Sequence, residues 1–480
     1  MNKRIVLNML GKMLLTESAL LILPLICSLV YKETAAISIL ITIGIALLIG
    51  LPLCIFCKPK SNVFFAKQGL VIVALSWVLL SLIGCLPFYL SREIPSFADA
   101  FFETVSGFTT TGSTILNDIE SMSKSLLFWR SFTHWIGGMG VLVFIMAILP
   151  TSNDRSMHIA RAEMPGPIIG KLVPKLKDTA KLLYLIYIVL TILEIILLLF
   201  GDMSLFESLI HSFGTAGTGG FSSKADSIGG YSPYIQWVIS IFMFIFGINF
   251  NIFYLFLIRK FKSAFKSEEL WYYFGIVAVA ILIIAANIYP LYNNLSDALR
   301  HSAFQVTSIS STTGYSTADF DLWPSLSKAI LLCLMLIGAC AGSTAGGLKV
   351  SRLILVLKSA RANFKKVIHP RSINSVKLDG KSVEDDIVCG TINYLSIYIL
   401  CFFMIFLIVS FSPFDLETNI SATAACFNNV GPGFAAVGPM ANFAAYSGFQ
   451  KIILSIAMLL GRLEIYPMLL ILTPSTWFKK

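Results

Sequence analysis

The chain has 480 residues, of which 56% are hydrophobic and 13% are charged, whereas charged residues make up about a quarter of a typical soluble domain. This composition excludes an ordinary soluble protein and predicts an integral, all-α membrane protein that crosses the bilayer many times. Segments that are apolar and long enough to cross a hydrocarbon core of about 30 Å lie near residues 14–31, 35–56, 69–90, 129–150, 180–201, 233–258, 270–292, 327–347, 388–412 and 449–473. We expect no cleavable signal peptide, because the first segment lacks a small-residue cleavage site.

The net charge of +10 is unevenly distributed along the chain. With ten spans both termini lie on one side of the membrane, and 27 of the 36 Lys and Arg residues but only 9 of the 26 acidic residues fall on that side. The positive-inside rule therefore predicts that both termini are cytoplasmic. Since the basic charge is a topology signal, nucleic acid is not needed to explain it.

The nine cysteines do not indicate a disulfide framework. Most of them lie in apolar runs, where Cys behaves as a small hydrophobic residue. Cys54 and Cys57 form a lone CxxC, and neither a second pair nor a nearby His completes a metal site.

After two N-terminal spans, the chain repeats one pattern four times: a spanning helix, a short apolar segment, a Gly/Thr/Ser-rich patch and a second spanning helix. About eleven helical residues rise only some 16 Å, so we expect the short segments to be re-entrant half-helices that enter from the extracellular side. They lie near 96–107, 203–213, 296–309 and 417–427. The predicted organisation is an accessory helix pair at 1–68 and pore repeats at 69–176, 177–268, 269–384 and 385–480.

A Gly preceded by small or β-branched residues follows each half-helix, in patches that read FTTTGST, GTGGFS, STTGYST and NNVGPG. Irregular backbone at membrane depth is tolerated where it lines a water-filled cavity. Carbonyls of four such loops can replace the hydration shell of a cation, and the negative C-terminal ends of the half-helices favour one. We therefore predict one fourfold pseudosymmetric selectivity filter that uses backbone carbonyls of Thr110, Thr111, Gly112, Thr218, Gly219, Gly220, Thr312, Thr313, Gly314, Asn429, Val430 and Gly431.

Several acidic residues lie close to these loops on the predicted extracellular side. Their charge could concentrate cations at the pore mouth, or they could be ordinary solvated surface acids, and the sequence leaves both interpretations open. They are Asp99, Glu103, Asp226, Asp319, Asp321 and Asp415.

The eighth apolar segment continues for about 32 residues, longer than the roughly 20 that a crossing needs. Residues 338–347 include four Gly, three Ala, a Ser and a Thr, and such a run does not favour one continuous helix. We predict a break that forms an intramembrane gating loop; the alternative is a helix-packing surface built of small residues. The predicted loop residues are Gly338, Ala339, Gly342, Ser343, Thr344, Gly346 and Gly347.

Arg462 lies within the last apolar segment, where a charge is costly and usually faces a bundle interior or a cavity. Either it pairs with Glu464 or Glu194, or it lines the pore below the filter and repels permeating ions. We favour pore lining, chiefly because of a family resemblance.

Four motifs and the repeat organisation carry this resemblance. VSGFTTTGST (105–114), RSFTHWIGGMG (130–140), CAGSTAGGLK (340–349) and GRLEIYPMLLILTP (461–474) resemble the Trk/Ktr/HKT superfamily of potassium transporters, and within it the TrkH membrane subunits. The likeness covers almost the whole chain, and the two additional N-terminal helices favour the Trk branch. His134 stands where Gln is expected, and the second filter reads TGGF; neither departure changes the filter Gly.

The resemblance implies potassium uptake across the bacterial inner membrane by a homodimer with one pore per subunit. K+ is then the transported ion at the filter residues, and the chain itself binds no cofactor. The resemblance also implies control by a cytosolic TrkA-type ring that binds nucleotides through Rossmann domains. The basic segments 151–181 and 349–381 are the candidate docking surface, with Lys358, Arg361, Lys365 and Lys366 as candidate contacts.

The sequence leaves other functions open. A membrane enzyme would need His134, His211 and His301 as catalytic residues, but they are scattered and no GxSxG or HExxH motif occurs, so packing or capping roles are favoured. Nearer alternatives are a sodium- or proton-coupled Ktr-type symporter, the channel-like subunit of an ATP-driven potassium pump, a sodium-permeable relative, and a secondary transporter with midplane sites.

Overall fold

The computed structural model describes residues 3–59, 66–140, 176–371 and 375–477. Helices dominate these segments. A single two-stranded antiparallel sheet within them joins β1 (Lys377–Leu378) to β2 (Lys381–Ser382). The predicted span 129–150 extends past the described residues at 140, and most of the basic segment 151–181 lies outside them.

The helices follow the order that the repeats predict. The accessory pair comprises two spans. The first is formed by α1 (Lys3–Leu20) and α2 (Ile22–Tyr31), and the second is α3 (Ala35–Phe56). The first repeat contains α4 (Ala66–Gly84), α5 (Leu86–Leu90), α6 (Phe97–Phe108) and α7 (Lys124–Gly138). The second contains α8 (Leu176–Leu199), α9 (Leu205–Gly217), α10 (Pro233–Phe246), α11 (Phe250–Leu257) and α12 (Phe261–Ala264).

The third repeat contains α13 (Glu268–Tyr292), α14 (Leu295–Ser310), α15 (Ser325–Ile337) and α16 (Val350–Ile368). The fourth contains α17 (Asp385–Val409), α18 (Leu416–Phe427), α19 (Gly448–Arg462) and α20 (Tyr466–Leu472). Short 3-10 turns occupy Phe320–Leu322, Ala435–Val437 and Pro474–Thr476. Four short helices, α6, α9, α14 and α18, lie where the sequence predicts half-helices.

Six helical segments of the described chain are long and apolar enough to cross a membrane, or seven if the bent pair α10 and α11 counts as one span. The six are Lys3–Tyr31, Ala35–Phe56, Lys67–Leu90, Ala180–Leu199, Glu268–Tyr292 and Asp385–Val409. They coincide with six of the segments predicted from hydropathy. The protein is thus a multi-pass membrane protein.

The second helix of each repeat is shorter than predicted: α7, α10, α15 and α19 have 15, 14, 13 and 15 residues. The segment 233–258 predicted as a span is divided, because α10 and α11 meet at an angle of 91°. The Asn249 side chain accepts from the N–H of Asn251, and the Gly247 carbonyl accepts from the N–H of Cys340. These bonds satisfy backbone groups that the bend would otherwise leave unpaired in an apolar environment.

The predicted span 449–473 is also divided, between α19 and α20. Glu464 and Ile465 adopt φ values of 57° and 64°, in the left-handed region. Pro467 follows in the first turn of α20, a position where its missing N–H costs nothing. A comparable break after Ile337 was predicted from the glycine-rich run, and the chain stays irregular until α16 begins at Val350.

The four repeats close into a ring. The second helix of each repeat packs against the short helix of the next: α7 against α9, α10 against α14, α15 against α18, and α19 against α6. The accessory helices pack beside the first repeat, with α1 against α3 and α4. The four short helices are therefore held around one axis by their neighbours, and the segments that follow them meet at the centre.

Candidate functional site

Each short helix begins with a polar cap. The side-chain oxygens of Ser96, Ser204, Asn294 and Asp415 accept hydrogen bonds from N–H groups in the first turns of α6, α9, α14 and α18. An acidic residue also lies in each first turn, where it compensates the positive end of the helix dipole. The partly negative C-terminal ends lead into the four loops.

The four short helices end in the same turn. Thr110, Thr218, Thr312 and Asn429 have φ values of 57°, 59°, 58° and 55°. The N–H of the next residue in each loop donates to the carbonyl five residues earlier, at 2.8–2.9 Å. This is a Schellman motif, in which Gly usually occupies the left-handed position. Three β-branched residues there indicate strain that recurs at equivalent points, as is common at functional sites.

The glycines that follow these turns pack against one another in a closed cycle. A Cβ placed on Gly112 would lie 2.7 Å from the nitrogen of Gly220, and one on Gly220 would lie 2.5 Å from the carbonyl oxygen of Thr313. A Cβ on Gly314 would meet the carbonyl of Val430, and one on Gly431 would lie 2.8 Å from the carbonyl oxygen of Thr111. Each loop thus touches the next, and the fourth touches the first.

One cavity is lined by all four of these glycines, Gly112, Gly220, Gly314 and Gly431. Its wall continues into the segments that connect the loops to the second helix of each repeat. Gly112, Gly314 and Gly431 have φ values of 82°, 85° and 107°, which residues with a Cβ rarely adopt. Gly at these positions is therefore required both by the backbone and by the closeness of the neighbouring loop.

The irregular segment 338–349 lies directly against the loops that follow α14 and α18, the third and fourth loops of the ring. The N–H of Gly346 donates to Thr312 Oγ1 at 2.7 Å, and a Cβ on Gly346 would collide with the carbonyl of Asn428. Gly338, Gly342 and Gly347 adopt φ values of 70°, 70° and 74°, so the glycine content shapes this loop. On its other side, Thr344 Oγ1 donates to the Phe246 carbonyl at 3.3 Å, beside the bend between α10 and α11.

Arg462 joins this segment to the first repeat. Its Nη1 donates to the Thr344 carbonyl at 2.7 Å, and its Nη2 donates to the carbonyls of Gly137 and Gly138 at 2.5 and 2.8 Å. Of the two acids considered from the sequence, Glu464 forms an ion pair with Arg352. Glu194 is buried on α8, close to Thr215 of α9. The guanidinium therefore links the loop, at the Thr344 carbonyl, to the backbone carbonyls at the C-terminal end of α7.

The comparisons with known proteins agree with this architecture. Residues 37–479 match the family described as TrkH, cation transport protein. The chain is 35% identical to the Trk system potassium uptake protein TrkH of Salmonella typhimurium over 99% of this chain and 100% of that protein. It is 32% identical to the Trk system potassium uptake protein TrkG of Escherichia coli over 99% and 98% of the two chains.

The chain belongs to the TrkH family. A solved structure supports the same assignment: the crystal structure of the potassium transporter TrkH from Vibrio parahaemolyticus superposes with a TM-score of 0.88 at 31% identity, covering 100% of both chains. The resemblance noted from four sequence motifs is thereby confirmed over essentially the whole length.

In this TrkH-family chain, a side chain of the short helix α6 supports the first loop of the ring. Seven residues before the left-handed position, Glu103 accepts from Thr114 Oγ1 and from the N–H of Ile115, both at 2.9 Å. Glu103 also pairs with Arg130 Nε at 2.6 Å. Arg130 Nη1 reaches the Ser222 carbonyl in the second loop at 3.0 Å. This ion pair, almost fully buried, links two adjacent quarters of the ring.

The equivalent positions in the other short helices carry different residues: His211, Gln305 and Ala422. His211 Nε2 contacts Ser222 Oγ at 3.0 Å and so repeats the brace to the following loop. Ala422 has no polar side chain; in the fourth quarter Ser421 Oγ accepts from the N–H of Phe434 at 2.9 Å. We call the side chains of Glu103 and His211 the loop braces.

Sequence reasoning missed Arg130. The motif around it was recognised as family-like, but the charge was counted only for topology. The available signal was a lone Arg next to the apolar run of α7, with an equally isolated Glu103 in α6. Both charges are too costly to bury separately, so their co-occurrence in adjacent helices could have suggested the pair.

Of the two interpretations left open for these acids, neither fits Glu103, because its side chain is buried and paired with Arg130. Asp99 pairs with Lys451 at 2.6 Å, and Asp321 lies 3.8 Å from Lys328. Asp319 and Asp415 cap the N–H groups of Asp321 and Thr418. The Asp226 carbonyl accepts from the N–H of Gly229. Most of these acids therefore have local structural partners.

The three histidines proposed for a membrane enzyme occupy packing and capping positions. His134 Nδ1 lies 2.7 Å from the Gly107 carbonyl, and its ring packs against Gly219 in the second loop of the ring. His211 contacts the Glu207 carbonyl as well as Ser222. His301 Nδ1 lies 2.9 Å from Thr317 Oγ1. The packing roles expected from the sequence fit these contacts.

Proposed function

We propose that this protein takes up potassium through a selective pore whose filter is the closed cycle of four loops. The observation that carries the proposal is the ring of glycine contacts, with its four strained turns at the ends of four short helices. Backbone carbonyls in such loops are the groups that replace water around K+ in selective filters. The relatives TrkH and TrkG are named as potassium uptake proteins, which supports K+ as the transported ion.

The segment 338–349 acts in this proposal as the gate. It contacts the third and fourth filter loops through Gly346, so a cation leaving the filter on that side must pass it. Arg462 holds the loop in place through the Thr344 carbonyl and adds a positive charge that repels cations. Displacement of the loop then opens the path.

The relatives are named as parts of a Trk system, which supports control by a second component. We place the chain in the bacterial inner membrane as a homodimer, with cytoplasmic termini and a cytosolic TrkA-type nucleotide-binding ring as partner. Lys358, one candidate docking residue, pairs within the chain with Glu268. The exposed residues Arg361, Lys365 and Lys366 on α16 are therefore the better docking candidates.

Replacement of one filter glycine tests the pore. Gly112→Ser should lower the potassium-over-sodium permeability ratio by about tenfold or more, because the new Cβ would meet Gly220 and the backbone resists it. The measurement is the reversal potential in bilayers under potassium, sodium and proton gradients. Gly390→Ser, at a position with open space around the Cα, is the matched control. An unchanged ratio for Gly112→Ser would contradict the filter assignment.

The same recordings separate the alternatives. A reversal potential that follows only the potassium gradient supports passive uptake. A shift with the proton or sodium gradient would instead favour a coupled Ktr-type symporter. Charge reversal of Arg361, Lys365 and Lys366 should weaken complex formation with a purified TrkA-type ring, and an unaffected complex would remove the support for docking at α16.

A further inference from the structure

We propose that Glu269 is the clamp that keeps the gating loop closed, and that it transmits movement of α16 to the loop. The inference rests on the proposed function, because it assumes that the segment 338–349 obstructs the pore. It adds a positioning residue that lies far from the filter and outside the glycine-rich run.

One carboxylate oxygen of Glu269 binds both sides of the loop. Its Oε1 accepts from the N–H of Ala341 at 2.7 Å and from the N–H of Ser351 at 3.1 Å. Ala341 lies near the start of the irregular segment, and Ser351 lies in the first turn of α16. A single atom therefore spans the loop at its base, and the side chain is buried there.

The hydrogen bonds that Glu269 accepts are stronger than the backbone hydrogen bonds of an ordinary turn. Ser351 supplies one of the N–H groups that the start of a helix leaves without an internal partner. The N-cap residue of α16, Lys349, makes no side-chain cap, so Glu269 performs that role from another helix. A carboxylate at the positive ends of both α13 and α16 is favoured by their dipoles. Its hydrogen bonds are charge-assisted.

The neighbouring residue connects the clamp to the surface. Glu268 pairs with Lys358 on α16, and its N–H donates to Asp379 Oδ1 at 2.7 Å. Lys358 Nζ also donates to the Lys377 carbonyl at 2.8 Å. Consecutive residues at the start of α13 thus hold the loop, the middle of α16 and the β1–β2 hairpin. A partner that shifts α16 would pull Ser351 away from Glu269 and release Ala341.

The test uses the full chain in proteoliposomes without a partner. Glu269→Gln removes the charge but keeps the shape, Glu269→Asp tests rescue by a shorter carboxylate, and Glu384→Gln is the matched control, at an exposed residue that precedes α17 and makes no side-chain cap. The readouts are potassium flux, the potassium-over-sodium ratio, and modification of Cys340 by a membrane-permeant maleimide, read by mass spectrometry. Cys340 lies in the loop and is buried, as are Cys85 and Cys426 elsewhere, which report on overall unfolding.

We expect Glu269→Gln to raise both flux and the rate of Cys340 modification by about tenfold, the effect of weakening a charge-assisted hydrogen bond. Cys85 and Cys426 should stay protected, the ion ratio should not change, Glu269→Asp should restore part of the closure, and Glu384→Gln should match the parent. Equal flux and Cys340 protection in Glu269→Gln would overturn the clamp, as would joint exposure of all three cysteines.

A loop variant separates failure of the clamp from failure of the gate. Deletion of residues 343–345 should raise flux if the loop obstructs the pore. Increased flux in the deletion variant, with unchanged flux in Glu269→Gln, would overturn the clamp proposal but not the gate proposal. No change in either variant would overturn both proposals.

Discussion

The first and fourth loops of the ring adopt the same turn, with Thr110 and Asn429 in the left-handed region, but different side chains support them. A buried ion pair between Glu103 and Arg130 holds the first. In the fourth, Ala422 replaces the acid, and Tyr398 donates to Asn428 Oδ1 at 2.7 Å. The pseudosymmetry is therefore a property of the backbone, and each quarter has its own support.

The two solutions differ in what happens when they are broken. A neutral hydrogen bond contributes about 1 kcal/mol, so the fourth loop depends on several small terms. Removing one partner of a buried ion pair leaves an uncompensated charge, at about 3–5 kcal/mol. The first loop is thus the more vulnerable to a single change, although its contacts are the stronger ones.

The largest effect is expected for Glu103→Gln. The variant leaves the Arg130 guanidinium buried without its carboxylate, so we expect a loss of about 3–5 kcal/mol in the free energy of unfolding. Tyr398→Phe, the counterpart beside the fourth loop, should cost about 1 kcal/mol. Thermal unfolding of the detergent-solubilised protein, followed by size-exclusion chromatography, measures both.

An exposed ion pair provides the control for charge alone. Lys224 lies 3.8 Å from Glu207, and the two side chains are 36% and 25% exposed, so Lys224→Met should change stability by less than about 1 kcal/mol. If Glu103→Gln behaved like Lys224→Met, the buried pair would not be what distinguishes the first loop from the fourth.

Much of the fold could be predicted because its signals are local. Hydropathy identified the long helices, and the four short helices lie between recognisable caps and Gly-rich patches. The break after Ile337 was predicted from composition. The 91° bend between α10 and α11 was not, since Gly247, Asn249 and Asn251 are single interruptions of an apolar run whose mean hydropathy stays high across them. The bend is stabilised by the distant loop residue Cys340, which no local pattern indicates.

In the candidate site, too, some features could be predicted from the sequence and others could not. The four loops could be predicted from the repeated Gly and Thr positions, because each loop needs residues that suit its unusual backbone conformation. The order of contacts around the ring and the pairing of Glu103 with Arg130 depend on tertiary packing. The sequence located Glu103 in a short helix but not which face of the helix it occupies, so its role stayed open until the pairing with Arg130 was seen.

An intermediate effect is expected when the left-handed residues are exchanged between the two loops. Asn tolerates this conformation better than Thr, and the Thr110 hydroxyl is buried without a hydrogen-bond partner in the described part of the chain. Thr110→Asn should therefore be neutral or stabilising by up to about 1 kcal/mol. Asn429→Thr should destabilise by about 1–3 kcal/mol, since it also removes the Nδ2 bonds to Thr111 Oγ1 and the Met458 carbonyl.

Thermal unfolding of the two single variants and the double swap tests this reasoning. The diagnostic result is a difference in stability between the two variants, because a general intolerance of substitutions in the ring would destabilise both. Equal losses in Thr110→Asn and Asn429→Thr would mean that the left-handed conformation is not what separates Thr from Asn at these positions.

The smallest effect concerns the seam where the two loops meet. Ser113 Oγ donates to the Gly431 carbonyl at 2.9 Å, so Ser113→Ala removes one neutral hydrogen bond across the seam. The bond contributes about 0.5–1.5 kcal/mol, and its loss lets the fourth loop move relative to the first. We expect the potassium-over-sodium permeability ratio to fall by roughly two- to fivefold, because a looser cage discriminates less between ions of different size.

Reversal potentials in bilayers measure this ratio. Ser396→Ala is the matched control, because Ser396 Oγ bonds only locally to the Ile392 carbonyl on an exposed face of α17. If the two alanine variants gave the same ratio, the seam would not contribute to selectivity. A fall in Ser113→Ala alone would show that the fourth loop, which lacks an ion pair of its own, takes part of its rigidity from the first.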